Sequence, residues 1–212
     1  MECFELIRQG KWCNANVYRF EKSNRVLVRK GFCFRSFLIR WSIGVFLTRR
    51  ETRALQKLSG VSGIPGEVKR CHAYCLHYRY MDGETLGSIS NQQRKLPVSY
   101  FIEAEKLLAE MHGRKIVHLD LRRGDNWIVR SSGKPGIIDF QSAIPVALLP
   151  RNLQQKLCDI DYSGLYKFWD RLCDEPLDLE RQALLDRVNR VRKFWVFKGY
   201  AFQKFKSKRM AG

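Results

Sequence analysis

The stretch Val117-His118-Leu119-Asp120-Leu121-Arg122-Arg123-Gly124-Asp125-Asn126-Trp127-Ile128-Val129 is followed closely by Gly136-Ile137-Ile138-Asp139-Phe140-Gln141. Each polar group here is bracketed by an apolar run. Such runs fix the backbone as strand ends while the intervening loops leave the carboxylates and the amide free to enter a cleft. Phosphoryl transfer asks for this set of groups. One carboxylate orients the attacking hydroxyl and accepts its proton, and further oxygen donors hold the magnesium that neutralises charge on the β and γ phosphates. Asp120, Asn126 and Asp139 have the types and the order for those tasks.

These residues resemble the protein kinase superfamily, whose catalytic loop reads H-R-D-L-x-x-x-x-N and whose metal motif reads D-F-G. The nearest likeness is to small atypical bacterial kinases, the RIO-like and lipopolysaccharide core (Kdo or heptose) kinase group. The resemblance implies Asp120 as catalytic base, Asn126 as a magnesium ligand and Asp139 as the chief magnesium ligand. Asn126 lies one position later than the family pattern places it, and Asp125 fills the expected slot, so the two compete; Asn126 directly precedes Trp127-Ile128-Val129, as the family's asparagine precedes its strand. Upstream, Val26-Leu27-Val28-Arg29-Lys30 resembles the strand carrying the phosphate-binding lysine, and Arg49-Arg50-Glu51-Thr52-Arg53 the helix supplying its partner acid. Lys30 would hold the α and β phosphates and Glu51 would pair with it. Arg29 competes with Lys30, because strand alternation turns only one of the two into the cleft.

The segment from Gly10 to Tyr18 aligns with the phosphate-covering loop through Gly10 and Val17, with Trp12 and Ala15 in place of two glycines. Tyr80-Met81 falls where the family's hinge meets adenine. Gln141 replaces the glycine of D-F-G, and Ala143-Ile144-Pro145 follows with no A-P-E segment, leaving no platform for an extended peptide. The resemblance thus implies an ATP- and magnesium-dependent transfer of the γ-phosphoryl group to a hydroxyl. The expected acceptor is a lipid-linked sugar of the lipopolysaccharide core. The alternatives are a RIO-like serine/threonine protein kinase working near ribosomal RNA and a pseudokinase scaffold that kept the fold without turnover.

The elements that must position these groups suggest an α+β, two-lobed protein-kinase-like fold: a small lobe over 1–80, a mostly helical lobe over 81–190, and a basic aromatic tail over 191–212. Alternation predicts strands Phe4 to Arg8, Asn16 to Phe20 and Arg25 to Lys30, with Ser23-Asn24 as a turn. Thr48 is placed to cap a helix running through Glu51 to Leu58. Strands follow at Glu67 to Ala73 and Cys75 to Tyr80, and Met81-Asp82-Gly83 reads as the hinge. Phe101, Ala104, Leu107, Leu108 and Met111 have helical spacing within Pro97 to Gly113. Short strands are expected at Ile116 to Val117, Trp127 to Val129 and Gly136 to Ile138, and helix beyond Pro150, clearest over Leu177 to Phe194.

With 212 residues and 45% hydrophobic content the chain can bury a sizeable core, which excludes a disordered protein. Its net charge of +18 calls for an anionic partner. Two stretches, 32–50 and 187–209, interleave aromatics with cations and suit an anionic membrane surface or, alternatively, RNA. The start Met1-Glu2-Cys3-Phe4 has no secretory character, which points to the cytoplasm, with peripheral contact at the inner face of its membrane. The 7 cysteines are scattered and suggest no disulfide framework. Cys71, His72, Cys75 and His77 cluster, yet strand alternation would split them between faces and spoil a metal site. His118 is expected to bond the loop backbone and His112 to sit at a helix end.

Overall fold

The computed structural model describes residues 4–10 and 15–192. Trp12 and most of the basic stretch 187–209 fall outside the described residues. The first part of the chain forms a five-stranded antiparallel sheet in the order β1-β2-β3-β5-β4, built from β1 (Phe4–Arg8), β2 (Asn16–Lys22), β3 (Arg25–Gly31), β4 (Lys69–His72) and β5 (Cys75–Arg79). Ser23 and Asn24 join β2 to β3 with φ of 50° and 62°, the left-handed pair that suits a two-residue hairpin. Register then sets the faces. Lys30 pairs with Val17 and Leu76, and Arg29 with Tyr18 and His77, so the two cations leave the sheet on opposite sides.

A continuous helical stretch covers one face of this sheet: α1 (Phe37–Ile39), a π turn (Arg40–Gly44) and α2 (Val45–Lys57). Thr48 is therefore not the cap expected of it. It is 1% exposed in the middle of the helix, and its carbonyl accepts a 2.7 Å hydrogen bond from Thr52 Oγ1. The helix begins earlier, at Phe37, and Phe37, Leu38, Trp41 and Phe46 face outward on its turns. Gly44 lets the helix close on the sheet, since a Cβ there would stand 3.0 Å from Phe32 Cβ and Cγ.

After Met81-Asp82-Gly83 come β6 (Glu84–Thr85), α3 (Leu86–Asn91) and α4 (Val98–Gly113). Tyr100, Phe101, Ala104, Leu107, Leu108 and Met111 line the buried side of α4, as their spacing predicts. Next are β7 (Ile116–Val117), β8 (Trp127–Val129), β9 (Pro135–Ile137) and β10 (Ile144–Pro145), then α5 (Arg151–Leu172) and a further helix whose described residues are 179–192. α5 packs on α4, with Phe101 and Trp169 stacked at 5.3 Å between ring centroids. Two short ladders do the positioning. β8 pairs with β9 so that Trp127 faces Ile137, and β10 pairs with β7 so that Ile144 faces Val117. Together they draw the loops after Val117, before Trp127 and after Ile137 to one place. No described helix is long and apolar enough to cross a membrane.

Candidate active site

β3 delivers Lys30 beneath the sheet, α2 delivers Glu51, and the turn after β9 delivers Asp139. Lys30 Nζ lies 3.0 Å from Glu51 Oε1 and 2.5 Å from Asp139 Oδ1. The amine and Glu51 are almost wholly buried, while the Asp139 side chain keeps 20% exposure and opens the cluster to solvent. Arg29 points the other way, its Nε donating to Cys75 Sγ at 3.3 Å, so Lys30 is the cation in the crevice. Burial alone would strip Lys30 of its proton, but the Asp139 and Glu51 carboxylates outweigh it and hold the amine above the ordinary lysine range. Burial also pushes Asp139 upward, and Lys30 and then Arg8 reverse that, leaving it well below the usual carboxylate range. For Glu51 burial wins over Lys30 and the pKa is raised. Its second oxygen, Oε2, is buried without a hydrogen-bond partner.

Asp120 follows β7 on a loop whose shape is held from below. The Asp161 carboxylate of α5, itself fully buried, accepts the backbone N–H groups of His118 and Leu119, both at 2.7 Å. Leu119 takes φ of 66°, and Asp139 sits at φ 67°, ψ 63°. Left-handed backbone in non-glycine residues is strained and survives where its surroundings enforce it, as at sites that do chemistry. His118 is fully buried, its pKa lowered by that burial, and its Nε2 lies 3.1 Å from the Ile138 carbonyl, which ties the Asp120 loop to the Asp139 strand. Asn126 donates from Nδ2 to the Asp120 carbonyl at 2.9 Å and to Asp120 Oδ2 at 3.1 Å. Its own carbonyl accepts the Ile138 N–H at 3.0 Å. Asp125 is exposed and directed toward Gly87 of α3, so Asn126 is the one beside Asp120. Burial raises the Asp120 pKa, opposed by the Asn126 bond, and the carboxylate becomes a better proton acceptor near neutrality.

Gly10 is buried, its N–H bonding Asn16 Oδ1 at 3.0 Å and its carbonyl accepting from Arg35, and Val17 is partly buried over the core. Tyr80 extends the β3–β5 ladder by donating its N–H to the Val26 carbonyl at 2.9 Å, and Met81 packs on Gly136. Magnesium would find hard oxygen donors in Asn126 and Asp139, and phosphate oxygens complete such a shell in nucleotide sites. That donor set fits the ion. Within the cluster Cys71, His72, Cys75 and His77, Cys71 and Cys75 Sγ stand 3.1 Å apart.

Two residues escaped the sequence reading. Arg8 at the end of β1 reaches Asp139 Oδ2 with Nη2 at 3.3 Å. Asp161 had one signal available, an acid on the apolar side of an amphipathic helix between Ile160 and Leu165, which is costly unless it has a fixed task. His112 is in the last turn of α4 as expected, but its Nε2 bonds Asp161 Oδ2 at 3.1 Å instead of relying on the helix dipole alone.

No family model matches the chain, and no curated protein does. Its fold does match solved structures. A crystal structure of a Rio2 kinase–ADP/Mg2+–phosphoaspartate complex from Chaetomium thermophilum superposes with a TM-score of 0.60 at 13% identity, over 86% of this chain and 61% of that one. The chain thus spans about three fifths of the length of that kinase. The fold is α+β and protein-kinase-like.

Proposed function

We propose that the chain is an ATP- and magnesium-dependent phosphotransferase that passes the γ-phosphoryl group to a hydroxyl acceptor. The observation that carries this reading is the meeting of Lys30, Glu51 and Asp139, from three distant parts of the sequence, beside the Asp120–Asn126 pair. The two lobes would close on the nucleotide about Tyr80 and Met81, which would meet adenine, while Gly10 and Val17 would cover the phosphates. Lys30, oriented by Glu51, would contact the α and β phosphates. Magnesium bound through Asn126 and Asp139 would supply charge neutralisation at the β and γ phosphates. Asp120 would accept the proton of the acceptor hydroxyl as its oxygen bonds to the γ phosphorus and the bond to ADP breaks.

For the acceptor, the likeness to a Rio2 kinase favours a RIO-like serine/threonine protein kinase. A sugar hydroxyl is the second reading. It rests on the short segment after Asp139, where Ala143 and Val146 are buried and Pro145 pairs with Ile116, leaving little backbone to dock a peptide before Arg151 opens α5. We also read the stretch 32–50 as a contact with an anionic membrane, because Phe34, Phe37, Leu38 and Trp41 are 77, 66, 78 and 52% exposed among arginines.

Purified protein with ATP and magnesium should turn ATP over, faster once the right acceptor is added. Asp120→Ala should lower that turnover by about 100- to 10,000-fold, the usual weight of a general base, with little change in melting temperature. Equal turnover in the two proteins would overturn the assignment, and none in either would leave a pseudokinase.

A further inference from the structure

The helical stretch 37–57 changes character along its outward side. Phe37, Leu38, Trp41 and Phe46 are exposed in its first half, and Arg49, Arg53 and Lys57 in its second, while Thr48, Glu51, Thr52, Ala54 and Leu55 are turned inward. The π turn at Arg40–Gly44 has a physical part in this. A π turn winds more slowly than an α turn, so over its length the second half lags by roughly a quarter turn. Arg49, Arg53 and Lys57, at i, i+4 and i+8, thereby come onto the side that carries Leu38 and Trp41.

These cations rim a groove of about 590 Å³ with Phe46, Arg50 and Gln56; Ile116 and Pro145 line its far side and no acidic residue lines it. Among the described residues Arg49, Arg53 and Lys57 meet no carboxylate, so their mutual repulsion along one face is uncompensated. Arg50 holds its guanidinium 5.8 Å over the Phe46 ring, and its Nε is buried without a hydrogen-bond partner. A groove with unpaired guanidinium groups, an orphan N–H donor and no acid is built to receive an oxyanion, and arginine's forked donors match phosphate.

We propose that this groove is a headgroup site for an anionic phospholipid: Arg49, Arg50, Arg53 and Lys57 hold the lipid phosphate while Phe37, Leu38 and Trp41 enter the bilayer interface. The proposal rests on the membrane reading of 32–50 and not on the phosphotransfer. A lipid fits better than a nucleic acid because Leu38 and Ile43, on the same helical stretch as the groove's cations, are aliphatic and exposed; they cannot stack on bases and gain only by leaving water. The site also abuts the active site. Ile116 pairs with Pro145, two residues ahead of His118, and α2 carries Glu51 on its opposite face.

The test is co-sedimentation of the full chain with vesicles of phosphatidylcholine alone and of phosphatidylcholine with phosphatidylglycerol, across a salt series and without ATP. Wild type should partition onto the phosphatidylglycerol vesicles at least tenfold more strongly than onto the neutral ones, and salt should remove the difference. Arg49→Gln/Arg53→Gln should lose most of that difference, and Leu38→Ser/Trp41→Ser should weaken what binding remains. Undiminished binding of the arginine variant would overturn the groove alone, and no binding of wild type to either vesicle would overturn the membrane reading with it. Binding of structured RNA, lost in the arginine variant and unaccompanied by vesicle binding, would overturn the lipid. Should the double variant not fold, the single Arg49→Gln and Arg53→Gln proteins carry the same comparison.

Discussion

Lys30 is the hinge of the local electrostatics, because its side chain is 2% exposed and, among the described residues, it alone pairs with both the buried Glu51 carboxylate and Asp139. Lys30→Met keeps the volume and removes the charge, leaving the buried Glu51 carboxylate without its counter-charge while Asp139 keeps Arg8 and partial access to water. Breaking a buried pair in this way costs about 3–5 kcal/mol, and urea unfolding at pH 7 should report it. The pH dependence gives a sharper readout. Glu51 is already raised by burial and loses its counter-charge in the variant, so the folded state binds a proton that the unfolded chain releases above about pH 4.3. Stability of the variant should therefore rise as pH falls from 7 to 5; an equal deficit at both values would show that charge is not the cause. Asp139 works in the opposite sense in the wild type. Its depressed pKa adds stability that is present above about pH 3.9 and is lost on acidification below it.

α5 does more for the site than any other element, although it supplies no group that would touch substrate. Asp161 holds the backbone of His118 and Leu119, Lys167 Nζ bonds the Arg122 carbonyl at 3.2 Å, and Gly164 lets the Asp120 loop lie directly on the helix. A Cβ at Gly164 would come within 2.7 Å of the Leu121 carbonyl carbon and 3.0 Å of Arg122 N. Gly164→Ala should thus displace the loop and lower turnover at least tenfold, and nucleotide affinity, which the proposed function assigns to Lys30, should hold; parallel loss of both would mean general unfolding. His112 supplies a second test. Burial opposes its charge, but the bond to Asp161 prevails and lifts its pKa to about 9. The stability it gives is complete below about pH 6.5 and should drain away as pH rises to about 9, by about 3 kcal/mol at most. His112→Gln should flatten that slope in thermal melts. These helix-to-loop ties explain what the sequence concealed. Strands β1 to β3 and helix α4 were legible because alternation and the 3.6-residue period are local. The start of the helix at Phe37 was not, because its apolar residues face solvent and it has no capping side chain. Arg8 and Asp161 find their partners 131 and 43 residues away, and no spacing rule reaches so far.

At the scale of the molecule, one hydrophobic cluster runs from Val28 and Leu76 of the sheet through Leu55 and Leu58 of α2 to Phe101, Trp127, Phe140 and Trp169, so sheet and helical parts share a core. A shared core predicts a single cooperative melt in the apo protein. It also predicts that a ligand bound between the two parts raises that melt as a whole, because a ligand that binds only the folded state stabilises it by RT ln(1 + [L]/Kd), about 2.7 kcal/mol at a hundredfold excess over Kd. For a chain of 212 residues each kcal/mol is about 2–4 °C, so saturating ADP with magnesium should raise the midpoint by about 5–10 °C. In the proposed function Asp139 would hold magnesium, and its oxygens, which here engage Lys30 and Arg8, would then leave both cations free for phosphate. Asp139→Asn removes the anion that the ion needs but leaves Lys30 and Glu51 paired. Its midpoint should rise with ADP by the same small amount whether magnesium or a chelator is present. A full magnesium-dependent shift in Asp139→Asn would place the ion elsewhere and undo the metal role given to that residue.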